Sequence, residues 1–332
     1  MIFIKTPFRV SLFGGGTDFP AWFNTHGGSV LSFAINKYCN IMIRDLPQFF
    51  GYKYRAVYSE IESTKTINEI KHPAIREAIR KYGGDHSLEI QYHGELPARS
   101  GVGSSSAFAV SIINGLTAMS AIHLDKKTLA VAAIELEQEI IRENVGSQDQ
   151  IACTYGGFNK ITFSPIDNWN IHPLNLSTNL ISEIEDRCFL TYTGIERISS
   201  NVSISLINNF KNSVSILDKT QELVDIAEKA INAGSNLDEI GELLKETSAL
   251  KFLANPAASS SNVQEFINEG LKAGALGGKV LGAGGGGFCL FWLKKHDKTR
   301  FGSEFKLAKE VPFNIDFTGS SIIPYEYRKE LN

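Results

Sequence analysis

The sequence predicts a fold of mixed strands and helices in two halves, and three observations carry that expectation. Residues 1–13 alternate with the period of a strand, and Leu88 to His93 reads as another strand. Ala109, Ile112, Ile113, Leu116 and Met119 recur at the three-and-four spacing of one helical face. The polar, Asn-rich segment 164–180 then separates this part from a compositionally distinct second half, and it reads as the inter-domain connection.

Taken in order, the first strand runs into GGGTDFP at 14–20. Gly15 and Gly16 let backbone approach a ligand closely, and Thr17 and Asp18 ride on the turn. Asp18 is either a turn former or an acceptor for substrate hydroxyls, a task that suits a fixed carboxylate. Residues 29–45 and 52–60 read as strands, and 68–82 as a helix ending at Gly83-Gly84.

The stretch PARSGVGSSSAFAVSIINGL, from Pro97 to Leu116, organises the rest. Gly101 and Gly103 bracket Val102 just before a helix start, where free N–H groups and the helix dipole suit a polyphosphate. Ser104, Ser105 and Ser106 occupy the first turn, where a hydroxyl caps the helix or ligates a phosphate-bound Mg²⁺. An ordinary serine-capped helix after a glycine turn has the same local pattern. A second helix is expected at about 127–144, with Leu129, Ala133, Leu136 and Ile140 on its apolar face. Glu137 falls near the middle of that face, where a carboxylate must be neutralised, paired with Arg or Lys, or bound to metal. Gly146 breaks the helix, and Asp149 begins a new short one.

The second half reads as a strand at 187–193, a TGIERISSN turn, three or four amphipathic helices up to 273, and a strand-turn-strand around GKVLGAGGGGFCLFWL. A helix near 297–309 and two short strands finish the chain. The run GAGGGG at 282–287 matches GxGxxG, but a dinucleotide fingerprint needs a following helix and Phe288 to Leu293 is β-prone. It therefore reads as a turn whose backbone lies close to something. Gly278-Lys279 precedes Val280, so no Walker A motif is present.

Composition narrows the partners. The chain of 332 residues has room for one large domain or two ordinary ones. Its 43% hydrophobic and 21% charged residues fit a globular protein, and a net charge of -3 argues against nucleic acid or a polybasic membrane contact. MIFIKTPFRV lacks a signal-peptide pattern, and the four cysteines show no CxxC spacing, so reduced thiols and a cytoplasmic location are expected. The seven histidines form no HExxH pair.

Three blocks in this order, PFRVSLFGGGTD, PARSGVGSSSA and KVLGAGGGG, resemble the motifs of the GHMP kinases. Within that superfamily, FGGGTDFP, GSQDQIACTYGGFN, YTGIERISS and GGKVLGAGGGGF look most like heptose 7-phosphate kinases, with fucokinase-type domains similar in the same blocks. The resemblance implies an α+β fold of two domains, the N-terminal one (1–175) built on a rearranged five-stranded sheet and the C-terminal one (176–332) ferredoxin-like. It implies ATP and Mg²⁺ as cofactors and a sugar phosphate as substrate, with a monomer or a homodimer left open. It places Asp149 as catalytic base with Arg9 paired to it. The phosphate loop spans Arg99, Ser100, Gly101, Val102, Gly103, Ser104, Ser105 and Ser106; Ser105 and Glu137 hold the metal. Asp18 binds the sugar, with Gly15, Gly16, Thr17, Gly284 and Gly285 beside it. For a phosphate on the acceptor, Arg197 is the first candidate, followed by Lys37, Arg44, Arg99 and Lys251.

Overall fold

A computed structural model describes residues 1–166, 168–195 and 199–323. The first half supplies β1 (Ile2–Phe13), α1 (Pro20–His26), β2 (Gly28–Asp45), β3 (Tyr54–Val57), β4 (Ile61–Thr64), α2 (Pro73–Tyr82), β5 (Leu88–Gly94) and α3 (Ser104–Met119). It continues through α4 (Lys126–Glu135), α5 (Gln148–Tyr155), β6 (Phe158–Ser164) and β7 (Asn168–Pro173). The second half supplies α6 (Thr178–Arg187), β8 (Cys188–Tyr192), α7 (Ser199–Asn209), α8 (Val214–Ala233), α9 (Asp238–Ala254) and α10 (Ser261–Lys272). Next come β9 (Gly277–Val280), β10 (Phe288–Trp292), α11 (Lys298–Glu304) and β11 (Ser321–Ile323). Among the described residues, no helix is long and apolar enough to cross a membrane.

The large sheet has eight strands rather than the expected five, in the order β11-β1-β2-β5-β3-β4, with β6 and β7 branching from β2. The extra width comes from β2, which is 18 residues long. Its first part, Gly28–Phe33, pairs with β6, and its last part, Cys39–Asp45, pairs with β5. On its other edge β2 pairs antiparallel with β1, whose own outer edge is taken by β11 from the chain's far end. The β1–β2 register slips at Pro7/Phe8, where proline has no N–H for the ladder, and again at Ser11/Phe13. Between the slips lies Arg9.

Helix α3 packs on β1 and β2 and is buried from Ala107 to Thr117, which makes it the spine of the first core. Ala109, Ile112, Ile113 and Leu116 are buried there as the periodicity requires. The smaller sheet is antiparallel, ordered β8-β10-β9, and the turn expected at GAGGGG joins β9 to β10. Residues 309–311 run along its open edge, with Tyr192 N–H donating to Lys309 O at 3.2 Å and Val311 N–H to Leu190 O at 2.8 Å. That segment joins the sheet's edge through one isolated bridge, Thr191 to Glu310. α9 and α10 cover the sheet, and α8 packs back on β1 and β2.

Several boundaries differ from expectation, among them the helix near 297–309, which ends at Glu304. α2 begins at Pro73 rather than 68, because His72 caps it by accepting the Ile75 N–H and Pro73 takes the first turn. The segment 52–60 carries only the short β3, which pairs in a hairpin with β4 just beyond it. The segment 164–180 is no open linker: β7 pairs with β6 and α6 begins at Thr178, capped by Ser177. The helix expected over 127–144 stops at Glu135 and passes into a π-helical turn, Leu136–Ile140, at Glu137.

Candidate active site

The site begins at Arg9, buried in β1 at 3% exposure. Its backbone N–H leaves the irregular ladder to donate to Val102 O at 3.0 Å, tying the strand to the glycine-serine loop. Its side chain donates from Nε to Asp149 Oδ1 at 2.7 Å and from Nη2 to Asp149 Oδ2 at 2.6 Å. The third nitrogen, Nη1, donates to Gly101 O at 2.7 Å. A guanidinium can fork across a carboxylate in this way and still reach the loop; an ammonium cannot.

Asp149 sits in the first turn of α5, whose N-terminus favours a carboxylate. The helix start is pinned by Ser147 N–H donating to Asp18 O at 2.9 Å, so positions 18 and 149 share one scaffold. Each Asp149 oxygen accepts one bond from Arg9 and keeps a second lone pair. The side chain is 23% exposed to the cleft. Asp18, at 2% exposure, accepts from Gly16 N–H at 3.0 Å. Burial, and then the negative charge of Asp149, push its carboxyl above the usual range.

The loop from 97 to 106 turns through Gly101 and Gly103, at φ +85° and +75°, conformations that L side chains rarely adopt. A Cβ on Gly103 would stand 3.1 Å from Arg9 Cγ and 3.4 Å from Asp149 Oδ2, so the loop backbone runs directly against the ion pair. Gly103 ends the loop and α3 begins, with its first amides open to the cleft. Ser104 Oγ accepts from Arg99 N–H at 3.1 Å, holding the turn closed.

Ser105 and Ser106 reach the other way, to Glu137. The Ser105 hydroxyl donates to Glu137 Oε1; Ser106 Oγ donates to Oε2 at 2.7 Å, and Gln150 Nε2 to the same oxygen at 2.6 Å. No cation neutralises this carboxyl among the described residues, so the pairing with Arg or Lys is not what the structure uses. Burial pushes Glu137 up to about 7 against the three hydrogen bonds that oppose it. The π turn presents it, closed by Ile141 N–H to Leu136 O at 2.9 Å; such turns concentrate at functional sites.

These groups face one cavity of ≈ 460 Å³, except Glu137 and Gln150, which lie behind Ser105 and Ser106 and do not line it. Arg9, Asp18, Asp149, Gly15, Gly16, Arg99, Gly101, Gly103 and Ser104 to Ser106 all line it. The other candidates are placed differently. Val102 is fully buried, and Ser100 is spent on Pro97 O at 2.6 Å. The Thr17 hydroxyl donates to Gly14 O and Ser29 O, bracing the turn rather than facing the cleft. Gly284 packs on Ala258, and Gly285 N–H donates to Ala258 O at 2.9 Å, so neither lines the cavity. Arg44 is bound to Glu89, and Lys37 does not line the cavity. Arg197 lies outside the described residues.

Lys251 and Lys279 do line it, together with Thr247 and Asn255. Lys251 is the last of the sequence's candidates for a phosphate on the acceptor, whereas Lys279 is passed over once Walker A fails. One signal was available: Thr247, Lys251 and Asn255 recur every fourth residue, which is one helical face.

For a divalent cation the donors are Ser105 Oγ and the Glu137 carboxylate, both hard oxygens, and a buried carboxyl without a counter-charge is a fit for one. The described residues contain no group of three or more His, Cys, Asp or Glu able to hold a metal. Two protein oxygens suit Mg²⁺, which keeps several waters.

Comparison with known proteins agrees along the chain. Residues 68–157 match the GHMP kinases N terminal domain and residues 225–306 the GHMP kinases C terminal domain. The chain is 27% identical over 327 residues to the D-glycero-alpha-D-manno-heptose 7-phosphate kinase of Campylobacter jejuni, covering 95% of each. It is 24% identical to the galactokinase of Thermotoga neapolitana, covering 95% of this chain and 96% of that one. To the bifunctional fucokinase/GDP-fucose pyrophosphorylase of Arabidopsis thaliana it is 28% identical over 90% of this chain and 30% of that longer protein. In fold, it matches a D-glycero-D-manno-heptose 1-phosphate kinase from Bacteroides thetaiotaomicron with a TM-score of 0.80 at 22% identity, over 98% of this chain and 100% of the other. Two family domains in order, on a fold whose cleft gathers the three motif blocks, establish that the chain belongs to the GHMP kinases and is an ATP-dependent phosphotransferase with an alcohol group as acceptor.

Proposed function

We propose that this kinase transfers the γ-phosphoryl group of ATP to the anomeric hydroxyl of a D-glycero-D-manno-heptose 7-phosphate. The product is the 1,7-bisphosphate, on a cytoplasmic route to GDP-heptose. The observation that carries the reading is the Arg9–Asp149 pair pressed against the glycine-serine loop, with Asp18 on the same scaffold.

In that reading the open amides at the start of α3 hold phosphate oxygens, as helix N-termini do. A free lone pair of Asp149 accepts the proton of the anomeric hydroxyl as its oxygen attacks the γ-phosphorus and the bond to the β-phosphate oxygen breaks. Arg9 fixes the carboxylate through two bonds and fixes the loop through Gly101 O, so base and phosphate stay in register. Asp18, buried and anchored by Gly16 N–H, accepts from the sugar's hydroxyls. Ser105 and Glu137 would hold Mg²⁺, which when bound offsets charge on the β- and γ-phosphates.

The acceptor is supported by the relative in C. jejuni, aligned nearly end to end, and by two carboxylates, Asp18 and Asp149, that line the cavity and can accept from a sugar's hydroxyls. The test is a panel of acceptors with ATP and Mg²⁺: heptose 7-phosphate, mannose, L-fucose, galactose and mevalonate. The expected result is a kcat/KM for heptose 7-phosphate at least tenfold above every other, on the order of one strong hydrogen-bonded charge contact. A higher value for L-fucose or galactose would replace the acceptor.

A further inference from the structure

The cleft wall contributed by the second half carries two cations that the transfer described above does not use. Lys251 projects from α9 between Thr247 and Asn255, and Lys279 comes from β9 beside it. Lys251 Nζ donates to Val280 O at 3.0 Å and Gly282 O at 2.6 Å. Lys279 Nζ donates to Leu12 O at 2.7 Å and is 3% exposed. Neither pairs with a carboxylate among the described residues. An ammonium carries three N–H donors, so each lysine keeps at least one without a protein acceptor.

The surroundings make this costly unless something else arrives. Burial drives Lys251 down to about 7, and Arg9 adds to the effect; Lys279 is lowered by burial, by Lys251 and by Arg9. Polar atoms nearby are unsatisfied too: Ser11 Oγ, Thr247 Oγ1, Gln148 Oε1 and Asn255 Oδ1 have no partner, and their residues line the same cavity. Buried polar atoms left in this way each cost free energy, which native structures seldom accept without a ligand or water. A neutral polyol would satisfy the hydroxyls and amides but leave two lysines facing Arg9. An anion's oxygens satisfy the lysines and accept from the Ser11 and Thr247 hydroxyls, while the Gln148 and Asn255 amide oxygens, which only accept, take an O–H of the ligand that carries the anion.

We infer that Lys251 and Lys279 form a second phosphate-binding subsite, on the wall contributed by α9 and β9. Its chemistry is that of a phosphoryl group's oxygens, which come either from the phosphate ester of the acceptor or from the terminal phosphoryl of ATP. Assignment to the acceptor rests on the function proposed above; the subsite itself does not.

Lys251→Met and Lys279→Met keep length while removing charge, and Lys251→Arg restores it. For each, kcat/KM is measured for heptose 7-phosphate and for the same heptose without its phosphate, and calorimetry gives Kd for ATP and ADP. The expected result is a fall of about tenfold to a hundredfold in one discrimination ratio, the size of a charged hydrogen bond, partly recovered in Lys251→Arg. A fall in the ratio of phosphorylated to unphosphorylated acceptor identifies the acceptor's phosphate. A fall in the ratio of ATP to ADP affinity identifies the transferred group. Both ratios unchanged in folded Met variants overturn the subsite.

The wild-type protein provides a measurement that does not depend on how the variants fold. Inorganic phosphate or heptose 7-phosphate is titrated at pH 8 in buffers of different ionisation enthalpy, and net proton uptake is expected as an anion recharges Lys251. Absence of any heat of binding with either anion overturns the subsite. A wild type that ignores heptose 7-phosphate as substrate, yet takes up a proton with inorganic phosphate, removes the proposed acceptor and keeps the subsite. The converse, turnover with intact ratios in both Met variants, keeps the acceptor and removes the subsite.

Discussion

Glu137→Gln should make the protein more stable, not less, and only above a definite pH. The Glu137 carboxyl rises from its ordinary 4.5 to about 7 in the folded chain, with burial the largest cause. A folded-state value above the unfolded one means that folding binds a proton more tightly, so ionisation works against the native state. No penalty exists below pH 4.5, where both states are protonated. It grows between pH 4.5 and 7 and is complete above 7. At about 1.4 kcal/mol per unit, the full penalty is about 3 kcal/mol. Glutamine removes the charge and can keep the hydrogen bonds: its oxygen takes the position that accepts from Ser106 and Gln150, and its amide faces Ser105, whose hydroxyl rotates to accept. At roughly 2 °C per kcal/mol, the apoprotein variant should melt about 6 °C higher than wild type at pH 8 and level with it at pH 4.5. Differential scanning calorimetry across that pH range checks the curve. Adding MgCl₂ at pH 8 should raise the wild-type melting temperature and leave the variant unmoved. A pH-independent gap, or a less stable variant at pH 8, refutes the burial argument, and a variant that MgCl₂ raises as much as the wild type refutes the metal assignment.

Asp149→Asn should fold and bind ATP yet lose turnover by about three orders of magnitude, since an amide oxygen is a poor proton acceptor; steady-state kinetics with ATP calorimetry checks this. Arg9→Lys replaces a fork with a point charge that cannot hold both Asp149 oxygens and Gly101 O, so kcat should fall about a hundredfold with little change in ATP affinity. Asp18→Asn should raise the acceptor's KM by about tenfold and leave the Kd for ATP as it was, because Asp18 meets the sugar and not the nucleotide. A matching loss in ATP affinity would show that the Asp18 side chain acts through its Gln148 N–H contact at the start of α5 instead.

What the sequence carried was the chemistry of single stretches. Period-two alternation and the buried face of α3 were legible because the core demands them, whatever the long-range topology. Glu137 was legible for the same reason, as a charge at a helical position that had to be buried. What surrounds it was not. The π turn that aims it adds one residue to a helical turn, and no residue in LEQEI marks that change. The eight-stranded sheet was hidden because β2 is read as a strand by its own residues, while its two partners on one edge are chosen by segments more than forty positions away. The polar segment 164–180 looked like a linker because β7 buries little along its length and belongs to the sheet through backbone bonds to β6.

The glycine run at 282–287 shows how a correct local reading leads to a different role. Backbone without side chains there does lie close to something, but that neighbour is the phosphate loop. A Cβ on Gly282 would stand 2.6 Å from Gly101 Cα, and one on Gly101 2.7 Å from Leu281 O. Phe288 N–H donates to Ser100 O at 2.9 Å, and Lys251 ties the carbonyls of Val280 and Gly282 from the opposite side. The hairpin of the second half is thus a brace pressed against the loop of the first, and side chains at these positions would hold the two apart. Arg9 meets the same loop at Gly101 O from below. The loop that must present its amides to a polyphosphate is therefore fixed from both halves of the chain, which is why three motif blocks so distant in sequence answer to a single geometric requirement.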